Sequence, residues 1–159
     1  MSMHLHGIFP MIQTNLSSAA YGTLLLRVSL GVMYIAHSLV LKWMTFGLAG
    51  TAQYFESLGL PALLAYATVF AELIGGVLLV LGVQSRWVAL ALLPVLFGAA
   101  WVHIGNGWVF SAQGGGWEYP LYLIVLSVAQ ALLGDGAHAL SPSRRLSLGS
   151  SSSALKPAL

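Results

Sequence analysis

Apolar side chains run almost unbroken through four stretches of this chain, residues 23–41, 61–83, 87–104 and 119–133, each edged by aromatic, glycine or proline residues. Neither the two-residue alternation of a half-buried strand nor the polar face of a water-bathed helix interrupts them. Bilayer hydrocarbon is about 30 Å thick and takes about 20 apolar residues to cross as a helix. The first three stretches meet that length, and the fourth is short enough to require a thinned region or help from Trp117 and Gly134. Pro61 suits a first helical turn, and Gly82 followed by Gln84-Ser85-Arg86 makes a tight turn, so the second and third helices are antiparallel neighbours. Trp43, Trp87, Trp101, Trp108, Trp117 and Tyr119 gather near segment ends, where interfacial aromatics belong. Pro94 falls inside the third stretch, which membrane helices tolerate when neighbours satisfy the freed carbonyl.

Composition narrows the class. The chain has 159 residues, 58% hydrophobic and only 6% charged, where a soluble domain carries about 25% charged residues. Six Lys and Arg against four acids form no basic patch, which excludes a nucleic-acid binder. With no cysteine, disulfides, iron–sulfur clusters and thiol redox chemistry are excluded. The pattern predicts an all-α membrane protein, four transmembrane helices in an antiparallel bundle. An N-terminal segment (1–20) precedes the membrane domain (21–140), and a mobile Ser-rich tail (141–159) follows it. The first twenty residues contain no Lys or Arg, so the first apolar run reads as an uncleaved span. Arg86, Arg144, Arg145 and Lys156 fall on one side and Lys42 on the other, which places both termini in the cytoplasm. Residues 42–60 and 105–118 then face outward.

Ionisable groups within hydrocarbon are costly and seek partners or a function. Arg27 lies one turn inside the first stretch and Glu72 halfway through the second, differing in depth by roughly 9–10 Å at about 1.5 Å per residue. An extended arginine closes most of that gap, so a structural Arg27–Glu72 ion pair is expected. The alternative has Arg27 snorkelling to headgroups and Glu72 protonated. Thr68, Glu72, Gly75 and Gly76 share one stripe, and Arg27, Gly31, Tyr34 and Ser38 another; their small residues suit close helix approach. The pair either holds two helices together or handles protons.

A second set marks the outer ends: His37, His103 and Glu118, with Asn106, Trp108 and Trp117 nearby. Imidazole and carboxylate can hydrogen-bond a quinone carbonyl and exchange its protons near neutral pH. His103, Glu118 and Glu72 are therefore the candidate proton-handling groups. His37, His103, Asn106, Trp108 and Glu118 are candidates for one shallow quinone pocket. Two His and a carboxylate are also a metal-ligand set, and each His has a plainer role as an interfacial hydrogen-bonding residue; no metal is assigned. The unequal depths of His37 and His103 argue against haem. His4 and His6 form an incidental H-x-H, and Gly114-Gly115-Gly116 lacks the strand and Lys-Ser/Thr of a phosphate loop, serving a sharp return instead.

These pieces together resemble the DoxX family of small bacterial membrane proteins. The resemblance covers about residues 24–140. It rests on Leu26-Arg27, Gly31, His37 and Lys42, then Ala71-Glu72-Leu73-Ile74-Gly75-Gly76 and Leu81-Gly82 with Arg86. It continues through His103, Asn106-Gly107 and Gly114-Gly115-Gly116-Trp117-Glu118-Tyr119. Trp108 and Trp117 stand where the family is expected to carry Phe and Tyr, and Ser38 where it often has Gly. The resemblance implies a four-helix bundle in the bacterial inner membrane. Some relatives look like the membrane subunit of thiosulfate:quinone oxidoreductase, others belong with oxidoreductase complexes, and a distant branch works in cargo export. The expectation is a quinone-interacting subunit receiving electrons from a protein partner, since the chain has no evident redox centre; homo-oligomers are compatible with it. A non-catalytic scaffold or assembly factor is the alternative, and a small-solute or proton carrier a third, disfavoured by the small number of spans.

Overall fold

The computed structural model describes residues 9–144, with side chains described from residue 18 onward; His4, His6, Arg145, Lys156 and most of the Ser-rich tail lie outside the described residues. Helix α1 (Phe9–Ile35) runs without a break into a π-helical segment (Ala36–Thr45), and a short helix α2 (Gly47–Ser57) follows. Three further helices complete the order: α3 (Ala62–Leu81), α4 (Ser85–His103) with a 3-10 turn at Ile104–Asn106, and α5 (Glu118–Leu133). Three helical stretches, Ser18–Thr45, Ala62–Leu81 and Ser85–Asn106, are long and apolar enough to cross a bilayer, and α5 is a shorter apolar helix. The chain is thus helical and membrane-compatible, as its hydrophobic pattern requires.

Contacts place the long helices in a ring: α1 against α3, α3 against α4, α4 against α5 and α5 against α1. Gly31 meets Gly76 and Val80, whereas Lys42 meets Glu72, so α1 and α3 run antiparallel. A Cβ on Gly31 would lie 2.7 Å from the Gly76 carbonyl oxygen, and one on Gly76 would lie 2.8 Å from that of Gly31. The two backbones touch, which only small residues permit. Leu30, Tyr34, Leu79, Ala89, Leu92, Leu96, Leu123 and Ile124 fill the ring's centre, while Leu25, Leu63, Ile74, Phe97, Tyr122 and Leu132 face outward. An apolar exterior of this kind fits lipid, not water.

One end of the bundle is closed by a strap, residues 134–143. Gly82, at φ +72°, ends α3 in the left-handed region that glycine tolerates. The Gln84 N–H then donates to the Ser141 carbonyl at 2.8 Å. The Asp135 carboxylate accepts from the Ser85 N–H (2.8 Å), the Ser143 N–H (2.7 Å) and the Ser143 hydroxyl (3.0 Å). The beginning of the Ser-rich stretch is therefore pinned against α4. The opposite, loop end carries α2 and residues 104–117.

Candidate functional site

The arginine of α1 and the acid of α3 do not pair. Arg27, 1% exposed, donates from Nη1 to the Asp135 carbonyl (2.9 Å) and from Nη2 to the Ala137 carbonyl (3.3 Å). Glu72, 4% exposed, instead accepts from Lys42, with Nζ 2.6 Å from Oε1 and 2.5 Å from Oε2. The expected Arg27–Glu72 pair is corrected for two physical reasons. The strap brings carbonyls to Arg27 from more than a hundred residues away. The first helix also does not stop at Leu41: its π-helical continuation carries Lys42 back over α3. In an α-helix, residues five apart point about 140° away from each other; the wider i→i+5 turn reduces that angle, so His37 and Lys42 both come toward Glu72. Thr51 of α2 donates to the Lys42 carbonyl at 2.8 Å and fixes the segment from above.

Arg86 likewise is no surface charge. It is 7% exposed and donates from Nη1 to the carbonyls of Ala131 and Leu132, the latter at 3.1 Å. A cation on the last carbonyls of α5 complements its dipole. A Cβ at Gly134, φ +94°, would sit 2.6 Å from Arg86 Nη2, so glycine is required there.

The loop-end candidates separate into two groups. His103 Nδ1 lies 3.0 Å from the Gly114 carbonyl and 3.1 Å from that of Gly115. Asn106 Nδ2 donates to the same oxygens at 3.0 and 2.9 Å. Both side chains thus hold the glycine-rich return in place. At Gly116 a Cβ would strike the carbonyls of Trp108 and Val109, which explains that glycine sterically. Trp108 and Trp117 meet edge to face with centroids 4.5 Å apart.

Glu118 and Trp108 belong to the second group. They line an open groove of about 390 Å³ with Phe110, Tyr119, Tyr122 and Val125. Glu118 Oε2 accepts from the Phe110 N–H at 3.1 Å, leaving Oε1 for another partner. A second groove, of about 210 Å³, continues between α1 and α5, lined by Leu26, Leu30, Met33, Leu123 and Leu126. Tyr119 and Tyr122 line both, so the two share a wall. His37 stands behind that wall. Its ring stacks on Tyr119 (centroids 6.0 Å, planes 24° apart), its Nδ1 lies 3.0 Å from the Met33 carbonyl, and it interacts electrostatically with Glu72. Among the described residues, no three His, Asp or Glu side chains group as metal ligands would.

Tyr119, Tyr122 and Lys42 are what sequence reasoning missed at this site. The tyrosines stand three apart at the start of α5, a helical-face spacing that was legible; Lys42's role depended on the π-helical turn and was not.

Residues 22–105 match the DoxX family model, so the chain belongs to the DoxX family of membrane proteins. It is also 38% identical over 122 residues to "Putative oxidoreductase CatD" of Bacillus subtilis (strain 168), a match covering 76% of this chain and 85% of that protein. No solved structure matches the chain.

Proposed function

We propose that this protein is a multi-pass subunit of a quinone-linked oxidoreductase in the bacterial inner membrane, with α1, α3, α4 and α5 as its four spans and both termini cytoplasmic. The observation that carries this reading is the paired groove on the α1–α5 face. It has one carboxylate and a tryptophan at the loop end and an apolar trough below. Its larger part falls within the roughly 300–1,000 Å³ of small-molecule sites, and its shape suits a polar ring joined to a long hydrocarbon tail. The oxidoreductase name of CatD, a relative of similar length, adds weight to it.

When bound, a quinone supplies two-electron, two-proton redox chemistry; the electrons would come from a protein partner, because a chain without cysteine offers no thiolate for an iron–sulfur cluster. Glu118 Oε1 and the Tyr119 hydroxyl would hold the ring's oxygens, with Trp108 against its face. Tyr122, Met33, Leu123 and Leu126 would hold the tail and exclude water. His37, stacked behind Tyr119 and within electrostatic reach of Glu72, would exchange protons between the groove and the Lys42–Glu72 pair. His103 and Asn106 act one step away, by fixing the loop that presents Trp108 and Phe110.

The reading is tested by extracting quinone from purified protein. Wild type should retain quinone well above a detergent blank, and Tyr122→Ala and Glu118→Gln should each lower the retained amount about tenfold, a loss of roughly 1.4 kcal/mol in binding. Wild type carrying no more than the blank would reject it. The commitment of His103 and Asn106 to loop carbonyls favours a second reading, a scaffold whose exposed Trp108, Val109 and Phe110 dock a partner. On that reading Phe110→Ala abolishes partner recovery while quinone content is unchanged.

A further inference from the structure

Six buried side-chain atoms among the described residues meet no partner at full hydrogen-bond geometry: Arg27 Nε, Tyr34 Oη, Ser85 Oγ (which stands beside the Asp135 carboxylate), Arg86 Nε, Ser127 Oγ and Gln130 Oε1. Helix spacing orders their residues by depth: Arg27 and Tyr34 stand seven apart on α1, Ser127 and Gln130 three apart on α5, and Ser85 and Arg86 open α4. Tyr34 of α1 is 1% exposed, and its hydroxyl lies beside that of Ser127 and within electrostatic reach of Glu72, yet meets neither at hydrogen-bond geometry. Ser127 and Gln130, both 0% exposed, stand three apart on α5 and so share its inner face. Gln130 donates from Nε2 to the Gly134 carbonyl at 2.5 Å, and its Oε1 is buried without a partner. Beyond it stand Arg27, Ser85 and Arg86 at the strap end.

An unsatisfied buried polar atom costs about 1–3 kcal/mol, and native proteins meet such costs with bound water. One orphan would be a local defect; several of them, spread in depth between a mid-bundle carboxylate and two guanidiniums, point to a built feature. We propose that Tyr34, Ser127 and Gln130 hold a file of internal water molecules that gives Glu72 a proton path through the bundle, and that Arg27 and Arg86 close this path at the strap end. Water and hydroxyls of this kind pass protons by exchange along the file, and a fixed guanidinium beside the path repels the travelling positive charge. Charged and titratable groups facing Glu72 are Lys42, His37 and Tyr34. The Lys42 side chain keeps 20% exposure, so the loop end is the open one. Protons therefore reach Glu72 from the loop end alone, whatever occupies the groove.

Two measurements on the full chain test this. Radiolytic hydroxyl labelling marks a buried ring only where water is bound against it. Tyr34 should be labelled in wild type, and Ser127→Val or Gln130→Leu should reduce that labelling at least fivefold in protein that remains monodisperse. Equal labelling in all three proteins would overturn the file. Proton influx into pyranine-loaded liposomes under a potassium diffusion potential tests the closure. Wild type should stay near the protein-free rate, and Arg27→Gln should raise influx at least fivefold, with Arg86→Gln as the second variant if the first does not fold. Adding Ser127→Val should return influx to the wild-type rate. A folded arginine variant that leaks no more than wild type, or a leak that survives Ser127→Val, would overturn the closed proton path.

Discussion

Lys42 and Glu72 neutralise each other where neither could stand alone. Removing one partner of a buried pair costs about 3–5 kcal/mol, whereas replacing both by apolar or neutral groups of similar shape costs far less. Because the Lys42 side chain keeps 20% exposure, the lower end of that range applies. Lys42→Met should therefore destabilise the detergent-solubilised protein by about 3 kcal/mol. The double variant Lys42→Met/Glu72→Gln should recover most of the loss in thermal-unfolding midpoint; a double variant as unstable as the sum of the singles would remove the pair from this account. Asp135 behaves differently because its partners are N–H and O–H groups. Desolvation pushes its carboxyl up, but the N–H groups of Ser143 and Ser85, helped by the Ser143 hydroxyl, outweigh this and hold it below the ordinary 3.8. Folding lowers this pKa, so the stability it supplies is complete above about pH 3.8 and drains as pH falls through the folded value. Amide exchange at Ser85 and Ser143 should stay slow from neutral pH down to 4 after correction for intrinsic rates, then accelerate below 3.8. Asp135→Ala, which removes charged-acceptor bonds of about 1.5–3 kcal/mol, should expose the strap at every pH.

At the scale of elements, α1 and α3 are joined by backbone contact at Gly31 and Gly76. Gly76→Ala places its methyl 2.8 Å from the Gly31 carbonyl oxygen and 2.9 Å from an Ile35 side-chain carbon. Forcing the helices apart should cost about 1–3 kcal/mol, whereas Gly98→Ala, at a helical position with open space around it, should leave the melting midpoint unchanged or raised. The small-residue stripes of these helices were legible in the sequence because three- and four-residue spacing maps directly onto a helix face. Glu72 was legible as inward-facing for the same reason, being flanked at that spacing by Thr68 and Gly75. Its partner was not. Hydropathy falls at Lys42, and nothing local announces that the helix continues in π-helical form to Thr45. Arg27's acceptors were hidden for another reason: they are backbone carbonyls on a strap more than a hundred residues away, and a carbonyl has no sequence signature. In the sequence the outer candidates read as one pocket, but His103 and Asn106 turn to the Gly114 and Gly115 carbonyls. The spacing of Tyr119 and Tyr122 was the better guide to the groove.

At the scale of the whole molecule, the described residues form a ring of four long helices with opposite ends. One end is shut by a strap seated on two buried arginines and an aspartate, and the other opens onto an ion pair, a stacked histidine and a groove along the lipid-facing side. A site that faces lipid suits a ligand that dissolves in it, and the ring gives its polar residues a route away from hydrocarbon. The proposed ligand chemistry belongs to the α1–α5 face, whereas α3 and α4 pack directly, Gly75 against Leu92. Photo-crosslinking with an azido-quinone in native membranes, followed by peptide mapping, tests that assignment most directly. The account predicts adducts on residues 108–126, centred on Tyr119 and Tyr122, suppressed by excess unlabelled quinone and weakened at least fivefold by Glu118→Gln. Adducts confined to α3 or α4, or labelling that excess quinone does not suppress, would contradict it.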